Sequence, residues 1–220
     1  TGACCGGGGR EMPQFWEERG LPIPRLGKIL VPVEERDAAQ LALLAERGAA
    51  NGVTVERLDA AALKRLEPEA RSATGEALFV PSTSVVSSSE MMTRLAADAL
   101  EAGVAIRCGG RLGRIDAGRG EVEWNGERIA YGHAINAAGL HADSVVHRLR
   151  AGGPHTLLPV KGIYWKLDPA SGIRINHLIY PVPDLRVPFL GVHTTTAIDG
   201  SVYLGPTVGP TFGREEYPGL

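Results

Sequence analysis

The sequence predicts a mixed α/β (α+β) fold, because helical and strand patterns both recur along its 220 residues. Apolar residues repeat at helical spacing over residues 35–51 and 87–103. Three short strand-like runs with turn residues between them occupy residues 111–131. After residue 154, strand-like runs separated by prolines and glycines dominate. Together these patterns predict several sheets with helices packed on them.

The first 83 residues are predicted to mix short helices with strands. Gly6–Gly9 is a glycine run with no β-branched strand before it, so the start of the chain is expected to be linker-like. The predicted elements are a helix over Glu11–Gly20, a strand over Leu26–Val33, a helix over Glu35–Asn51, a β-like segment over Val53–Leu58, a helix capped by Asp59 and running through Leu66, and a strand over Ala77–Val80.

The middle of the chain carries the clearest helical pattern. A helix is predicted over Ser87–Gly103, capped by Ser88 or Ser89. Its buried stripe is expected to consist of Met91, Met92, Leu95, Ala96, Ala99 and Leu100. A strand over Val104–Cys108 is predicted to follow. A three-stranded meander comes next, over Arg111–Asp116, Glu121–Trp124 and Arg128–Tyr131, with a hairpin turn at Asn125-Gly126.

Residues 134–143, AINAAGLHAD, form the most informative segment of the chain. A strand of small residues over 134–138 is predicted to reach Gly139 and to turn directly into a helix over Ala142–Leu149. Such a turn exposes backbone to a ligand and points the first N–H groups of the helix at it. An ordinary strand-to-helix turn remains the alternative, because short glycine motifs have many false positives.

The last part of the chain is predicted to consist mainly of strands. They are expected over Leu157–Leu167, His177–Pro181, Leu190–Thr194 and Val202–Gly205.

The composition excludes several classes of function. A net charge of −2 with 22% charged residues provides no basic surface for nucleic acid. Cys4, Cys5 and Cys108 are too few and too unevenly spaced for a disulfide framework or a metal site, so no metal is expected. No apolar run approaches the ~18 residues of a membrane span. We expect a cytoplasmic protein, with peripheral contact with the inner membrane left open.

The AGLHAD segment resembles the second flavin-contacting segment of the D-amino-acid oxidase superfamily of FAD-dependent oxidoreductases. Longer motifs are similar to its L-2-hydroxyglutarate oxidase/dehydrogenase branch, and the resemblance covers about residues 10 to 217. These motifs are GKILV from Gly27, FVPST from Phe79, PVKGIY from Pro159, HLIYPVPD from His177, PFLGVH from Pro188 and DGSVYLGP from Asp199. The chain departs from that branch at Thr194-Thr195-Thr196-Ala197, where many relatives carry a basic residue, and at Thr207-Val208.

The resemblance implies the central part of an FAD-binding Rossmann-like domain, interleaved with a mixed or antiparallel-sheet substrate domain. The implied division is an N-terminal segment over 1–19, substrate-domain parts over 20–83 and 151–220, and a partial FAD-binding domain over 84–150. Because the chain has no G-x-G-x-x-G after an N-terminal strand, we expect a fragment that lacks the N-terminal nucleotide-binding motif and the C-terminus of its relatives.

The same resemblance implies an enzyme that oxidises an L-2-hydroxy acid by hydride transfer to FAD. L-2-hydroxyglutarate is the expected substrate, 2-oxoglutarate the product, and oxygen or a quinone the electron acceptor. Three alternatives stay open: an FAD-dependent amine or amino-acid oxidase of the same superfamily, an inactive fragment that binds no FAD, and a binding module derived from a flavoprotein.

Four residues are implied to contact FAD. Leu112 corresponds to a strand residue whose backbone meets the adenine in the family, although it also fits a core position in the meander. Ala138, Gly139 and Leu140 are implied to approach the flavin or its diphosphate through their backbone.

Four further residues are candidates for contact with the substrate. Lys161 is expected to supply a cation for a carboxylate, the alternative being an exposed strand lysine. His193 is expected to be the catalytic base or an orienting group, because imidazole titrates near neutral pH; a packed core histidine is the alternative. Tyr164 and Tyr180 are candidate hydrogen-bond donors to a carboxylate, but aromatic strand residues also fit a core.

Overall fold

The computed structural model describes residues 2–150, 153, 155–186, 189 and 191–216, with only the backbone at residues 2–5 and 10. The chain forms two compact units. The larger unit comprises Thr1–Arg94 and Gly162–Val208, and the smaller unit comprises Leu95–Lys161 and Gly209–Leu220. Each unit therefore combines two separate stretches of the chain. Which unit serves the cofactor and which the substrate stays a prediction.

The described residues form five α-helices and ten strands. The helices are α1 (Gly2–Glu18), α2 (Ala38–Ala50), α3 (Ala60–Leu66), α4 (Ser88–Glu101) and α5 (Ala142–Arg148). The strands are β1 (Lys28–Val31), β2 (Glu56–Asp59), β3 (Glu76–Val80), β4 (Leu112–Asp116), β5 (Glu121–Trp124), β6 (Glu127–Ala130), β7 (Val160–Lys166), β8 (Leu178–Pro181), β9 (His193–Thr196) and β10 (Val202–Pro210).

A four-stranded sheet of order β2-β3-β1-β8 forms the centre of the larger unit. β1 pairs antiparallel with β3 and parallel with β8, so that Lys28 lies opposite Leu178 and Leu30 lies opposite Tyr180. Successive strand residues point to opposite faces, and two apolar clusters result. The first contains Ile29, Val31, Leu63, Ala70 and Ala77, and the second contains Leu41, Leu78 and Val182, with Leu30 packed against it.

Two three-stranded sheets complete the fold. One has the order β7-β10-β9, in which β9 and β10 are antiparallel and His193 lies opposite Gly205. The other is the antiparallel meander β4-β5-β6 of the smaller unit. Its hairpin turns at Asn125 and Gly126, which both have positive φ angles of 50° and 83°. These angles confirm the hairpin expected from the Asn-Gly pair.

Most of the predicted elements in the larger unit are confirmed. β1 and β3 lie inside their predicted ranges or within one residue of them, and α2 follows a short 3-10 helix over Glu35–Asp37. Asp59 caps α3, its side chain accepting a hydrogen bond from the Ala62 N–H at 2.7 Å. The predicted β-like segment after α2 becomes β2, which begins three residues later than expected.

The helix predicted over Ser87–Gly103 is present as α4, but two details were wrong. Ser87 rather than Ser88 or Ser89 accepts the capping hydrogen bond, from the Glu90 N–H at 3.3 Å. None of the residues of α4, all of which the structure describes, is buried. Met92 and Leu100 are 61% and 57% exposed, whereas Met91, Ala96 and Ala99 are partly buried, so the predicted stripe is only partly covered.

The strands predicted over Val104–Cys108 and over residues 134–138 were also wrong. Both segments lack regular structure, and Ile135 is 93% exposed. A strand exists only through hydrogen bonds to a neighbouring strand, and no strand in the described part of the chain pairs with either segment. The predicted direct turn from Gly139 into a helix was also wrong, since a 3-10 helix over Gly139–His141 precedes α5.

At the start of the chain the expected linker is replaced by helix α1, which includes the glycines at 6–9. Glycine is ~1 kcal/mol less favourable than alanine in a helix. The carboxyl end of α1 is anchored by Trp16, which is completely buried, and the glycines continue that helical path. Near the other end, Leu190, with which one predicted strand begins, lies outside the described residues; β9 begins at His193.

Candidate active site

A stacked pair of rings forms the centre of the candidate site in the larger unit. The imidazole of His193 on β9 lies on the phenol ring of Tyr180 on β8, with ring centroids 4.0 Å apart and planes inclined by 17°. His193 is only 7% exposed. Parallel contact between the rings fixes the orientation of the imidazole within the unit.

The hydrogen bond of His193 determines which ring nitrogen carries the proton in the neutral form. Nδ1 lies 2.9 Å from the carbonyl oxygen of Gly191. A carbonyl can only accept a hydrogen bond, so Nδ1 carries the hydrogen and donates it. Nε2 is therefore the nitrogen with a free lone pair. A histidine held in this way can accept a proton at Nε2, as a general base must.

Tyr180 links His193 to other polar groups of the larger unit. Burial raises the pKa of the Tyr180 phenol, while a hydrogen bond with the Thr195 side chain acts in the opposite direction and nearby Tyr164 adds to the rise. On the same ring, the ammonium of Lys28 lies 5.4 Å from the centroid. Burial also lowers the pKa of Lys28 from its ordinary value of 10.5.

A buried carboxylate holds the beginning of β8. Glu67 is completely buried at the end of α3, and its Oε2 accepts hydrogen bonds from the backbone N–H groups of Asn176 and His177 at 2.8 and 2.9 Å. The His177 ring also lies against this oxygen, at 3.2 Å. Because β8 carries Tyr180, these hydrogen bonds of Glu67 help to fix the position of the stacked pair.

Thr194 connects the two sheets of the larger unit beside this site. Its Oγ1 accepts a hydrogen bond from the Ile179 N–H at 2.8 Å and donates one to the His177 carbonyl at 3.5 Å. The side chain of Thr194 thereby joins β9 to β8, and the next residue, Thr195, bonds Tyr180. Two residues at which the sequence departs from its relatives thus shape the surroundings of Tyr180.

The smaller unit contains an apolar groove along the AINAAG segment. It is lined by Leu112, Ile115, Val122, Tyr131, Ala134, Ile135, Asn136, Ala137, Ala138, Val145 and Leu149. Beside it, Gly139 has a φ of +51°, and no atom lies within 4 Å of the place a Cβ would take. Bare backbone and small side chains leave room for a flat, phosphate-bearing group. These residues fit FAD.

Side-chain hydrogen bonds fix the turn at the end of this groove. Asn136 accepts from the Ala138 N–H at 3.2 Å and donates to the Ala142 carbonyl at 2.9 Å. The carbonyl of Leu112 accepts a hydrogen bond from Arg148, and the carbonyl of Leu140 accepts one from Arg214. If Leu112 and Leu140 contact FAD as predicted, they must therefore do so through their N–H groups or through carbonyl oxygens that already accept these hydrogen bonds.

Asp143 organises the smaller unit next to the same turn. Its carboxylate receives two hydrogen bonds from the Arg214 guanidinium, at 2.6 and 2.7 Å, and one each from Thr156 and the Leu157 N–H at 2.9 Å. The Arg214 guanidinium, followed by these other donors, holds the pKa of the Asp143 carboxyl far below its usual range. Asp143 thereby ties three segments of the smaller unit together.

The structure brings together only some of the predicted site residues. Tyr180 and His193 stack, and Tyr164 acts on Tyr180 electrostatically within the larger unit. Leu112 and Ala138 line one groove in the smaller unit, next to Gly139 and Leu140. Lys161 belongs to the smaller unit, where its charge contributes to a lowered pKa of Glu216 after the hydrogen bonds from Thr211, Phe212 and Gly213.

Sequence reasoning missed several polar residues that the structure assigns to these surroundings. They are Lys28, Glu67, Asn136, Asp143 and Thr195. Four of them had a visible signal. Thr195 lies in the run at which the sequence departs from the branch it resembles, and Asn136 lies in the AINAAGLHAD segment. Lys28 is a charged residue next to the apolar run Ile29–Val31, and Asp143 ends the AGLHAD motif. Glu67 gave no signal, because its partners lie more than a hundred positions away in the sequence.

No group of three or more His, Cys, Asp or Glu side chains in the described part of the chain is placed to hold a metal ion. Among the described helices, none is long and apolar enough to cross a membrane.

Solved structures of an oxidase and a dehydrogenase have a similar fold. An L-α-glycerophosphate oxidase from Mycoplasma pneumoniae with FAD bound superposes with a TM-score of 0.75 at 22% identity, over 89% of this chain and 52% of that chain. An L-proline dehydrogenase from P. horikoshii gives a TM-score of 0.79 at 18% identity, over 93% of this chain and 55% of that chain. At these identities the likeness establishes the fold.

Curated proteins of similar sequence are L-2-hydroxyglutarate dehydrogenases. The Escherichia coli (strain K12) protein is 33% identical over 216 residues, which cover 97% of this chain and 51% of that protein. The mitochondrial protein of Homo sapiens is 29% identical over 228 residues, covering 97% of this chain and 49% of that protein. The chain thus spans about half the length of these relatives.

The family comparison covers nearly the whole chain. The FAD dependent oxidoreductase family (DAO) matches residues 5–219. This match agrees with the fold of the two units and with a groove that fits FAD. The chain belongs to the DAO family of FAD-dependent oxidoreductases.

Proposed function

We propose that this protein oxidises an L-2-hydroxy acid, L-2-hydroxyglutarate in the first instance, to the corresponding 2-oxo acid with FAD. The observation that carries the proposal is the buried His193, whose Nδ1–H is engaged by the Gly191 carbonyl and whose ring is fixed on Tyr180. The similarity to L-2-hydroxyglutarate dehydrogenases supports this choice of substrate.

The residues have distinct roles in this proposal. His193 accepts the hydroxyl proton of the substrate at Nε2 while Nδ1–H stays bonded to Gly191, so the imidazolium that forms keeps its orientation. Bound FAD would supply the acceptor for the hydride at C2. Loss of that hydride and of the hydroxyl proton converts the alcohol to a ketone.

Other residues of the proposal bind rather than react. Tyr164 and Tyr180 donate hydrogen bonds to a substrate carboxylate, and Lys161 supplies a cation. In the smaller unit, Leu112, Ala138, Gly139 and Leu140 hold FAD through their backbone. We further propose oxygen or a membrane quinone as the electron acceptor and a cytoplasmic location, with peripheral contact with the inner membrane in the quinone case.

Anaerobic reduction of the bound flavin tests the reaction class. Protein purified with FAD should lose its flavin absorbance when L-2-hydroxyglutarate is added without oxygen. D-2-hydroxyglutarate, which has the opposite configuration at C2, is the matched control and should leave the absorbance unchanged. Bleaching by glycine or sarcosine instead would assign the protein to the amine oxidases.

The flavin content of the 220-residue chain tests the cofactor assignment separately. We expect bound FAD in the purified chain, detected by its absorbance after removal of free flavin. A chain that folds but holds no FAD would support the alternative of an inactive fragment. Tight binding of a dicarboxylate by such a chain would support a binding module.

A further inference from the structure

Lys28 is a partly buried cation without an anionic partner among the described residues. It lies at the start of β1, opposite Val80 of β3 and Leu178 of β8. Its contact in the described part of the chain is with the ring of Tyr180, 5.4 Å from Nζ, and no described carboxylate forms a salt bridge with it. The burial lowers the pKa of Lys28, because a charged ammonium loses hydration there.

A partly buried lysine lowers the stability of the folded protein unless an anion or a hydrogen-bond acceptor pairs with its charge. Buried charges in proteins are normally paired or hydrogen-bonded. Lys166 illustrates the ordinary case in the same unit. It also lies over a tyrosine ring, 5.8 Å from the centroid of Tyr203, but it is exposed and its charge acts on Asp199. In the described part of the chain, no carboxylate plays this role for Lys28.

The position of Lys28 connects it to the proposed base. Its ammonium and the His193 ring both lie within 5.4 Å of the centroid of the same ring, that of Tyr180. In a 2-hydroxy acid the carboxylate is bonded directly to the carbon that bears the hydroxyl. A cation and a base grouped around one tyrosine therefore match the two polar ends of such a substrate.

We propose that Lys28 binds a carboxylate of the substrate beside Tyr180 and His193. This inference rests on the proposed function, since it takes the same cluster as the substrate site. The incoming carboxylate provides the anion that Lys28 lacks, and their charge-assisted hydrogen bond replaces the hydration that the ammonium loses on folding. Lys28 then selects for acids over neutral alcohols.

Binding of glutarate tests the inference without requiring any reaction. Glutarate has two carboxylates and no hydroxyl, so its dissociation constant can be measured by calorimetry on the FAD-loaded protein. We expect Lys28→Met to raise that constant roughly 10- to 100-fold. Lys28→Arg, which keeps the charge, should retain most of the affinity, and Lys166→Met, the matched control, should bind like the parent protein.

Circular dichroism and flavin content should be measured on each variant, to separate lost binding from lost folding. If Lys28→Met does not fold, Lys28→Gln and Lys28→Arg form the decisive pair. Both variants keep a long polar side chain, but only Lys28→Arg keeps the positive charge. Equal affinity of these two variants, or parent affinity in Lys28→Met, would overturn the inference.

The parent protein distinguishes a failure of this inference from a failure of the proposed function. Flavin reduction by L-2-hydroxyglutarate, together with unchanged glutarate binding in Lys28→Met, would refute only the role of Lys28. Glutarate binding that depends on Lys28, in a protein whose flavin no 2-hydroxy acid reduces, would refute the reaction and leave the carboxylate site standing.

Discussion

The two units of the chain differ in how completely they bury their own residues. Every buried residue in the described parts of the chain lies in the larger unit, from Trp16 and Ile29 to the polar Glu67 and His193. None of the described residues of the smaller unit is fully buried, and Ile135 is 93% exposed. The larger unit therefore encloses its own core, whereas the smaller unit leaves apolar side chains accessible to solvent.

The reason for the difference lies in strand pairing. β1 has a partner on each side, so alternate residues are enclosed between the sheet and helices. In the smaller unit, residues 104–108 and 134–138 have strand-forming sequences but no described partner strand. Strand propensity is realised only where a neighbouring strand supplies hydrogen bonds. The comparison shows that the same local signal gave a buried sheet in one unit and an open segment in the other.

The largest expected effect concerns chemistry in the larger unit. We expect His193→Ala to slow flavin reduction by roughly 10²–10⁴-fold, because the proton acceptor is removed. Flavin content should stay unchanged, since the residues that fit FAD belong to the smaller unit. Stopped-flow reduction by L-2-hydroxyglutarate provides the measurement. His147→Ala, an exposed histidine of α5, is the control, and reduction at the parent rate in His193→Ala would remove its catalytic role.

A pair of isoleucines tests the difference in burial directly. Ile29→Ala should lower the free energy of unfolding by about 2–5 kcal/mol, because it leaves a cavity in a completely buried position. Ile135→Ala should change it by less than about 0.5 kcal/mol, because that side chain is exposed. Urea unfolding of both variants gives the two values. Equal losses would show that Ile135 is covered in solution, and the contrast between the units would then be wrong.

The buried carboxylate of Glu67 gives an intermediate effect. Glu67→Ala removes the acceptor of the Asn176 and His177 N–H groups, and we expect a loss of about 1–3 kcal/mol of stability. Glu69→Ala, an exposed neighbour, is the control and should be nearly neutral. Flavin reduction in Glu67→Ala should also be slower, because β8 positions Tyr180. Stability equal to that of Glu69→Ala would contradict the role given to Glu67.

The smallest expected effect is a pH dependence in the smaller unit. The pKa of Asp143 is lower in the folded state than its ordinary value of 3.8, mainly through Arg214. The stability that ionised Asp143 contributes is therefore fully present above the ordinary pKa. It is lost as the pH falls below that value and through the lowered pKa of the folded state. Near-surface ion pairs contribute little, so the change should be small.

Thermal unfolding measured in steps from about pH 2 to about pH 7, a range that covers the titration of a carboxyl group, checks this expectation. The acid-dependent loss should be reduced in Asp143→Asn, while Asp116→Asn, at a carboxylate 3.4 Å from Arg114, should retain it. Identical pH curves for the parent protein and Asp143→Asn would contradict the assignment.

Local patterns were sufficient for elements that depend on nearby residues. Asp59 caps α3 and Asn125-Gly126 turns the meander hairpin as predicted, because both signals act within a few positions. The sequence also indicated His193 and Tyr180, although not that they stack. The sequence did not indicate the roles of Lys28 and Glu67, because β8 and the residues just before it, which surround them, lie about 110 or more positions away in the chain.

By itself, the sequence determined the mixed α/β class, the family resemblance and the order of most helices and strands. Those features follow from side-chain periodicity, turn chemistry and residue motifs, which act over short distances. Only the tertiary structure decided which strands find partners and which charged groups are buried. It determined that Lys28 and His193 both lie against the ring of Tyr180, because pairing of β1 with β8 and packing of β9 bring distant segments together. Burial and electrostatics depend on that assembly, and no local pattern encodes them.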